Sequence, residues 1–260
     1  MIETPFSLTS RPGIVLAGRA FDTGTGPVCL FLHGFRSDSG GEKAQALADH
    51  ARARGYSFAR FDLGAHGRST GVFIEQTLSG WRTDALSVAQ SFAPRPLILV
   101  GSSLGAWLSV LIAQAALVPI AGLVLLAPAF NFLQRYYEKL PQALQNEWRT
   151  RGYLTVPDPY GPPDATYRLG YDLVDDARHY DVLSGPLTLS CPLVIVHGAR
   201  DDLVPLAVSE EFLWHVRAPE KRFIVVPDGD HRLTSALVEI LAVVDRLMTR
   251  AISPPPSPAP

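Results

Sequence analysis

Residues 97–107 read LILVGSSLGAW. The unbroken apolar run LILV ends at Gly101, and a long apolar helical pattern, LGAWLSVLIAQAAL, starts at Leu104. A run with no polar side suits a strand covered on both faces of a sheet, and Gly101 and Gly105 suit a sharp strand-to-helix turn where side chains would collide. In that setting Ser103 projects its hydroxyl above the sheet as a nucleophile, and the Leu104 N–H points at the reacting oxygen. The same glycine-x-serine-x-glycine spacing also occurs at Gly67-Arg68-Ser69-Thr70-Gly71. Flanks must therefore decide between the two. Ser69 comes several residues after its apolar run, and no helical pattern begins at once behind it, so it reads as a turn residue.

Runs of the same kind recur at Val28 to Leu32, Phe58 to Phe61, Leu123 to Leu126, Leu193 to Val196 and Phe223 to Val226. Helical patterns lie between most of them, at Glu42 to Arg54, Trp81 to Phe92, Ala106 to Leu117, Leu206 to Val216 and Arg232 to Arg250. This alternation predicts an α/β fold with a mostly parallel central sheet and helices on both faces. A chain of 260 residues can bury that core as one domain, expected over 1–252. The rhythm breaks from Asn131 to Ser190, where no comparable strand is expected. Two helical patterns, FLQRYYEKLPQALQNEWRTRG and YRLGYDLVDDARHYDVL, flank the connector VPDPYGPPD there. Every tyrosine except Tyr56 falls in this interval, with Phe132 and Trp148, so an insertion over about 131–190 is expected to form a helical lid on a pocket. The tail 253–260, SPPPSPAP, is expected to be disordered.

Ala106 to Phe130 carries no charge and has the length of a bilayer span, but Pro119 and Gly122 divide it into a helix and a short strand, so no membrane span is expected. Hydrophobic content of 47%, charged content of 18% and a net charge of -2 leave no clustered basic face for nucleic acid. Cys29 and Cys191 sit in apolar runs far apart, without ligand spacing, and read as buried thiols in a reducing compartment rather than a metal site. The N-terminus, MIETPFSLTSRPG, lacks the patterns of a secretory or transit leader, which makes the cytoplasm the expected location.

An unassisted serine hydroxyl is a poor nucleophile, so Ser103 needs a base and an orienting acid from later strand ends, in the order acid then histidine. Asp201 follows the strand LVIVHG in HGARDDLVP, and His231 follows FIVV in DGDHRL. Asp202 is expected to diverge from its neighbour, and Asp228 and Asp230 to be solvated turn acids. Of the other histidines, His50, His179 and His215 read as surface or helix residues; His33, His66 and His197 read as loop-shaping residues near the site. An oxyanion hole requires two converging donors, assigned to the backbone N–H groups of Leu104 and of Phe35, which leaves a strand in LFLHGFRS.

The set HGF, GSSLG, HGARDDLVP and DGDHRL spans nearly the whole chain and resembles the α/β-hydrolase superfamily. FARFDLGAHGRSTG, TLSGWRTDAL and CPLVIVHGARDDLVP are more closely similar to its mitochondrial palmitoyl-protein thioesterase and acyl-glucuronide esterase branch. That resemblance implies an α/β-hydrolase fold and hydrolysis of S-acyl cysteine thioesters or activated acyl esters. It makes Ser103 the nucleophile, Asp201 the acid and His231 the base, with no metal or cofactor and with an acylated small molecule or S-acylated protein as partner. Alternatives are a general carboxylesterase on small soluble esters and a non-catalytic ligand-binding protein on the same fold. A haloalkane or epoxide type would need a carboxylate at position 103. The loop DLGAHGRS departs from many superfamily members, having Ala65 where they have glycine.

Overall fold

The computed structural model describes residues 2–158 and 162–252; the Pro-rich tail expected to be disordered lies outside the described residues. In chain order the strands are β1 (Thr4–Arg11), β2 (Ile14–Phe21), β3 (Val28–Leu32), β4 (Ser57–Phe61), β5 (Leu97–Ser102), β6 (Ile120–Leu126), β7 (Tyr153–Pro157), β8 (Thr166–Gly170), β9 (Leu187–Thr188), β10 (Leu193–Gly198), β11 (Val216–Arg217) and β12 (Lys221–Val226). The helices are α1 (Glu42–Arg54), α2 (Leu78–Gln90), α3 (Leu104–Ala115), α4 (Phe132–Lys139), α5 (Gln142–Arg151), α6 (Tyr171–Ala177), α7 (Ala207–His215) and α8 (Leu237–Ile252).

Eight strands form one sheet in the order β1-β2-β4-β3-β5-β6-β10-β12, parallel from β4 to β12 and antiparallel where β2 meets β1 and β4. All six apolar runs lie in it, for the reason their composition implies. On β5, Leu97 and Leu99 enter one core with Trp81 of α2 and Trp107 of α3, while Ile98 and Val100 enter a second core with Leu47 of α1 and Val244 of α8. Successive side chains point to opposite faces, so a strand covered twice must be apolar throughout. Because β3, β5, β10 and β12 run parallel, the loops leaving their carboxyl ends gather along one edge of the sheet. Among the described residues no helix is long and apolar enough to cross a membrane.

Four local expectations change. The hairpin of β1 and β2 was not foreseen, because its strands are half-exposed and alternate instead of forming unbroken apolar runs. Strand β12 is apolar in sequence but only partly buried, since it is the sheet's edge. Helix α2 starts three residues earlier than Trp81, where the Thr77 hydroxyl accepts from the Gly80 N–H at 3.0 Å and caps it. The segment between β6 and β10 is not purely helical: β7 and β8 pair antiparallel from Tyr153↔Gly170 to Pro157↔Thr166. Its helices α4, α5 and α6 surround Trp148, which is fully buried, donates its indole N–H to Leu169 O at 2.9 Å, and meets the rings of Tyr136, Tyr137 and Tyr171.

Trp148 is the center around which this segment packs, so Trp148→Ala is expected to cost about 3–5 kcal/mol, as large-to-small changes at buried aromatics do. Urea unfolding followed by circular dichroism measures that loss.

Candidate active site

Ser103 leaves β5 with φ 56 and ψ -113, a left-handed backbone that an L residue adopts only where its surroundings enforce it. Its N–H donates to Leu126 O at 2.8 Å, and its carbonyl accepts from Ala106 and Ala129 N–H groups at 3.1 and 3.2 Å. A Cβ at Gly105 would fall 2.2 Å from Leu32 O, and one at Gly101 would fall 2.3 Å from Gly105 O. The turn is therefore built on backbone contact between β5, α3 and the end of β3, which only glycine allows. Ser103 stands half-buried above it.

The ends of β10 and β12 meet as closely: a Cβ on Gly198 would lie 2.2 Å from Gly229 O, and Arg200 N–H donates to that carbonyl at 2.9 Å. This contact brings the Asp201 loop against the His231 loop. His231 Nδ1–H donates to Asp201 Oδ2 at 2.7 Å, which leaves Nε2 facing away from the carboxylate. Asp201 Oδ1 accepts from the Leu203 and Val204 N–H groups at 3.0 and 2.8 Å. A fourth donor is His197 Nε2–H, shared between Asp201 Oδ2 at 3.2 Å and Val204 O at 3.0 Å, while Ser209 Oγ–H donates to its Nδ1 at 2.7 Å. Burial pushes the Asp201 carboxyl up, but the hydrogen bonds from His197, His231 and the Val204 N–H outweigh it and hold it well below the usual carboxylate range. Asp201 is thus an anion fixed from four sides, its side chain fully buried. Asp202 is exposed, and Asp228 pairs with Arg200 in solvent. Asp230 is also exposed and caps its own turn, with Oδ1 accepting from the Arg232 and Leu233 N–H groups at 3.0 Å each.

The turn after β3 reaches Ser103 from the other side. A Cβ at Gly34 would lie 3.2 Å from Ser103 Cβ and 3.8 Å from its Oγ. Among the described residues no backbone carbonyl accepts from the Phe35 or Leu104 N–H; Leu104 follows Ser103 in the chain, and Phe35 lines the same two cavities as Ser103. Two histidines brace this turn. Leu63 N–H donates to His33 Nε2 at 3.0 Å, so His33 Nδ1–H donates to Gly34 O at 2.8 Å. Arg36 N–H donates to His66 Nε2 at 3.3 Å, so His66 Nδ1–H donates to Gly64 O at 3.1 Å. Both rings need a neutral acceptor nitrogen. Burial supplies it: it lowers His33, and together with the neighbouring His33 it pushes His66 down to about 3.

Two cavities of about 390 Å³ each share Ser103 and His231 on their walls. One is apolar, bounded by Phe130, Phe132, Leu133, Tyr167 and Val208. The other is the more polar of the two, with Asp38, Glu42, Lys43 and Arg232 on its walls. Burial pushes the Lys43 ammonium down to about 8, against the pull of Asp230, and its Nζ donates to Arg232 O at 2.6 Å. Sequence reasoning did not single out Lys43, and it treated His197 only as a loop histidine; its position four residues before Asp201 was the available signal. Ser69 stands apart from both cavities. Its hydroxyl donates to Asp62 O at 2.5 Å and accepts from Ala17 N–H at 2.9 Å, linking β2 to the loop after β4. The two thiols are buried, and burial pushes Cys29 up to about 12 and Cys191 up to about 11, where they are inert at neutral pH.

The chain belongs to the alpha/beta hydrolase family, whose model matches residues 29–242, and is an enzyme that hydrolyses esters or thioesters. It is 31% identical, over 253 residues covering 95% of this chain and 82% of the relative, to the Bos taurus protein named Palmitoyl-protein thioesterase ABHD10, mitochondrial. A putative hydrolase from Agrobacterium vitis S4 superposes with a TM-score of 0.89 at 29% identity, covering 95% of this chain and 100% of that one. Alpha/beta hydrolase domain-containing protein 10 from mouse gives 0.85 at 30% identity, covering 95% and 99%. The expected cytoplasmic location is overturned by the bovine relative and its mouse and human counterparts, whose names place those proteins in the mitochondrion. That expectation rests on the pattern of the N-terminal residues, and the buried thiols beside it do not distinguish one reducing compartment from another.

Ser69→Ala is expected to leave turnover unchanged while costing about 1–2 kcal/mol of stability through two lost hydrogen bonds, read by paired activity and urea measurements. The His66 shift sets a pH window. Its folded pKa lies below the ordinary 6.5, so the unfolded chain binds more protons, and stability is full above about 6.5 and falls as pH drops toward 3. His66→Gln is expected to flatten that part of the acid limb in urea titrations.

Proposed function

We propose that the chain cleaves acyl thioesters and esters through an acyl-enzyme on Ser103, and that S-acylated cysteines of proteins are its substrate class, as the name of its bovine relative states for that protein. The observation that carries this reading is the 2.7 Å bond from His231 to the buried Asp201 anion, at a cavity wall that His231 shares with Ser103. His231 Nε2 takes the Ser103 proton as Oγ attacks the acyl carbonyl, and Asp201 holds the Nδ1–H tautomer and stabilises the imidazolium. The Phe35 and Leu104 N–H groups receive the charge that develops on the carbonyl oxygen. His231 then returns the proton to the leaving sulfur or oxygen. Water, deprotonated by the same ring, attacks the acyl-enzyme and releases the acid.

The two cavities divide the substrate: the apolar one takes the acyl chain, and the polar one takes the leaving thiol or alcohol. Each methylene buried in the apolar cavity contributes about 0.8 kcal/mol, so kcat/KM on S-acyl substrates should climb up to roughly fourfold per methylene until the cavity is full. A preference for short p-nitrophenyl esters over long thioesters would make the chain a general carboxylesterase instead.

Fluorophosphonate probes are expected to label the wild type and not Ser103→Ala, and that variant should lose about a million-fold in turnover. Labelling that survives Ser103→Ala, read by intact-mass spectrometry, would remove Ser103 from the mechanism. Asp201→Asn should retain labelling but lose about 10⁴-fold in kcat by favouring the wrong tautomer of His231.

A further inference from the structure

Arg36 follows Phe35 in the turn after β3 and contributes to the walls of both cavities. Its backbone has φ 58, a conformation that persists only where neighbours over-determine it. One neighbour is His66, which accepts its N–H. The others belong mostly to the segment between β6 and β10. The Arg36 guanidinium forms an ion pair with Asp158, just past β7, and lies 4.4 Å from the ring centroid of Tyr167 on β8 and 5.2 Å from that of Phe73. Phe35 is held alike: its ring meets Phe132 of α4 at 5.3 Å and Tyr167 at 6.4 Å. The turn carrying the Phe35 N–H is therefore gripped from below by His33 and His66 and from above by residues 132, 158 and 167. Phe132 and Tyr167 also wall the apolar cavity.

We propose that Arg36 is a positioning residue that clasps the oxyanion turn to the segment over the pocket, so that an acyl chain seated there raises turnover as well as affinity. This rests on the Ser103 reading above. An acyl chain that fills the apolar cavity presses on Phe132 and Tyr167, which bear on Phe35 and Arg36, and so steadies the Phe35 N–H at the developing oxyanion. An acetyl group is too short to reach them. The guanidinium plane is what stacks on Tyr167 while pairing with Asp158, so lysine is a poor replacement.

The test compares the wild type with Arg36→Met, Arg36→Lys, Asp158→Asn and Arg36→Met/Asp158→Asn on p-nitrophenyl esters from acetyl to decanoyl. In the wild type kcat is expected to rise along the series. In Arg36→Met and Asp158→Asn the decanoyl kcat should fall about tenfold, a fraction of the loss seen when an oxyanion donor is removed outright. The double variant should match the worse single one because the two groups act as a unit. Arg36→Lys should recover at most part of the loss. Amide hydrogen exchange over residues 33–37 should quicken in the same variants while β5 stays protected. A kcat that still rises with chain length in the variants, single effects that multiply, or unchanged exchange at 33–37 would overturn the clasp. Exchange needs no turnover, so failure of the Ser103 chemistry and failure of the clasp are read separately.

Discussion

Gly105 rests against the end of β3 so closely that a single methyl group would fall 2.2 Å from the Leu32 carbonyl oxygen. Everything proposed for the site depends on that contact. It lets α3 start directly beneath the β3 exit, which forces Ser103 into a left-handed backbone and sets Gly34 so near that a Cβ there would lie 3.2 Å from the Ser103 Cβ. The β10 and β12 exits repeat the device at Gly198 and Gly229, where backbone touches backbone and the acid and base loops are drawn together. Side chains then refine a geometry that the main chain has already set. That order suits a site which must hold donors where charge will appear, since a rigid frame needs no reorganisation when it does.

The histidines in this frame work in opposite electrostatic senses. His33 and His66 must stay neutral, because each uses one ring nitrogen to accept a backbone N–H, and their burial keeps them so. In the proposed mechanism His231 becomes the cation, beside an aspartate whose negative charge four donors stabilise. Neighbouring rings of the same chemical type are thus separated in role by what surrounds them. The Asp201 hydrogen bonds matter as much as its charge, since an unpaired buried carboxylate would take up a proton instead of ionising.

The parts of the site legible in sequence are those that local spacing fixes. Ser103, Asp201, His231 and Phe35 each leave an unbroken apolar run within a few residues, and in a parallel sheet such positions share one edge. Long-range roles were not legible. Arg36 is defined by Asp158, more than a hundred residues away; His197, by contrast, has a local signal, four residues before Asp201, that was passed over. The β1 and β2 hairpin alternates because one of its faces meets solvent, so a search for runs buried on both faces passes over it. Ala65 shows the reverse case. Its departure from the glycine common at that position was plain in the sequence, and its φ of 62 gives the departure a meaning, because this is a conformation that glycine adopts without strain.

Dividing the space around Ser103 into an apolar and a polar cavity imposes an asymmetry on any substrate. The acyl half loses water on entry and gains in proportion to its length, while the leaving half remains among charged groups such as Lys43, Glu42 and Asp38. A thioester on a protein surface has that polarity: a long greasy acyl group on one side of the sulfur, a polypeptide on the other. The aromatic residues of the segment over the pocket serve two purposes in this arrangement. Phe132 and Tyr167 line the acyl cavity, and the same rings bear on the turn that carries the Phe35 N–H. Binding surface and oxyanion support are thus one set of atoms, so affinity for the acyl chain and the geometry of the reacting carbonyl cannot vary independently.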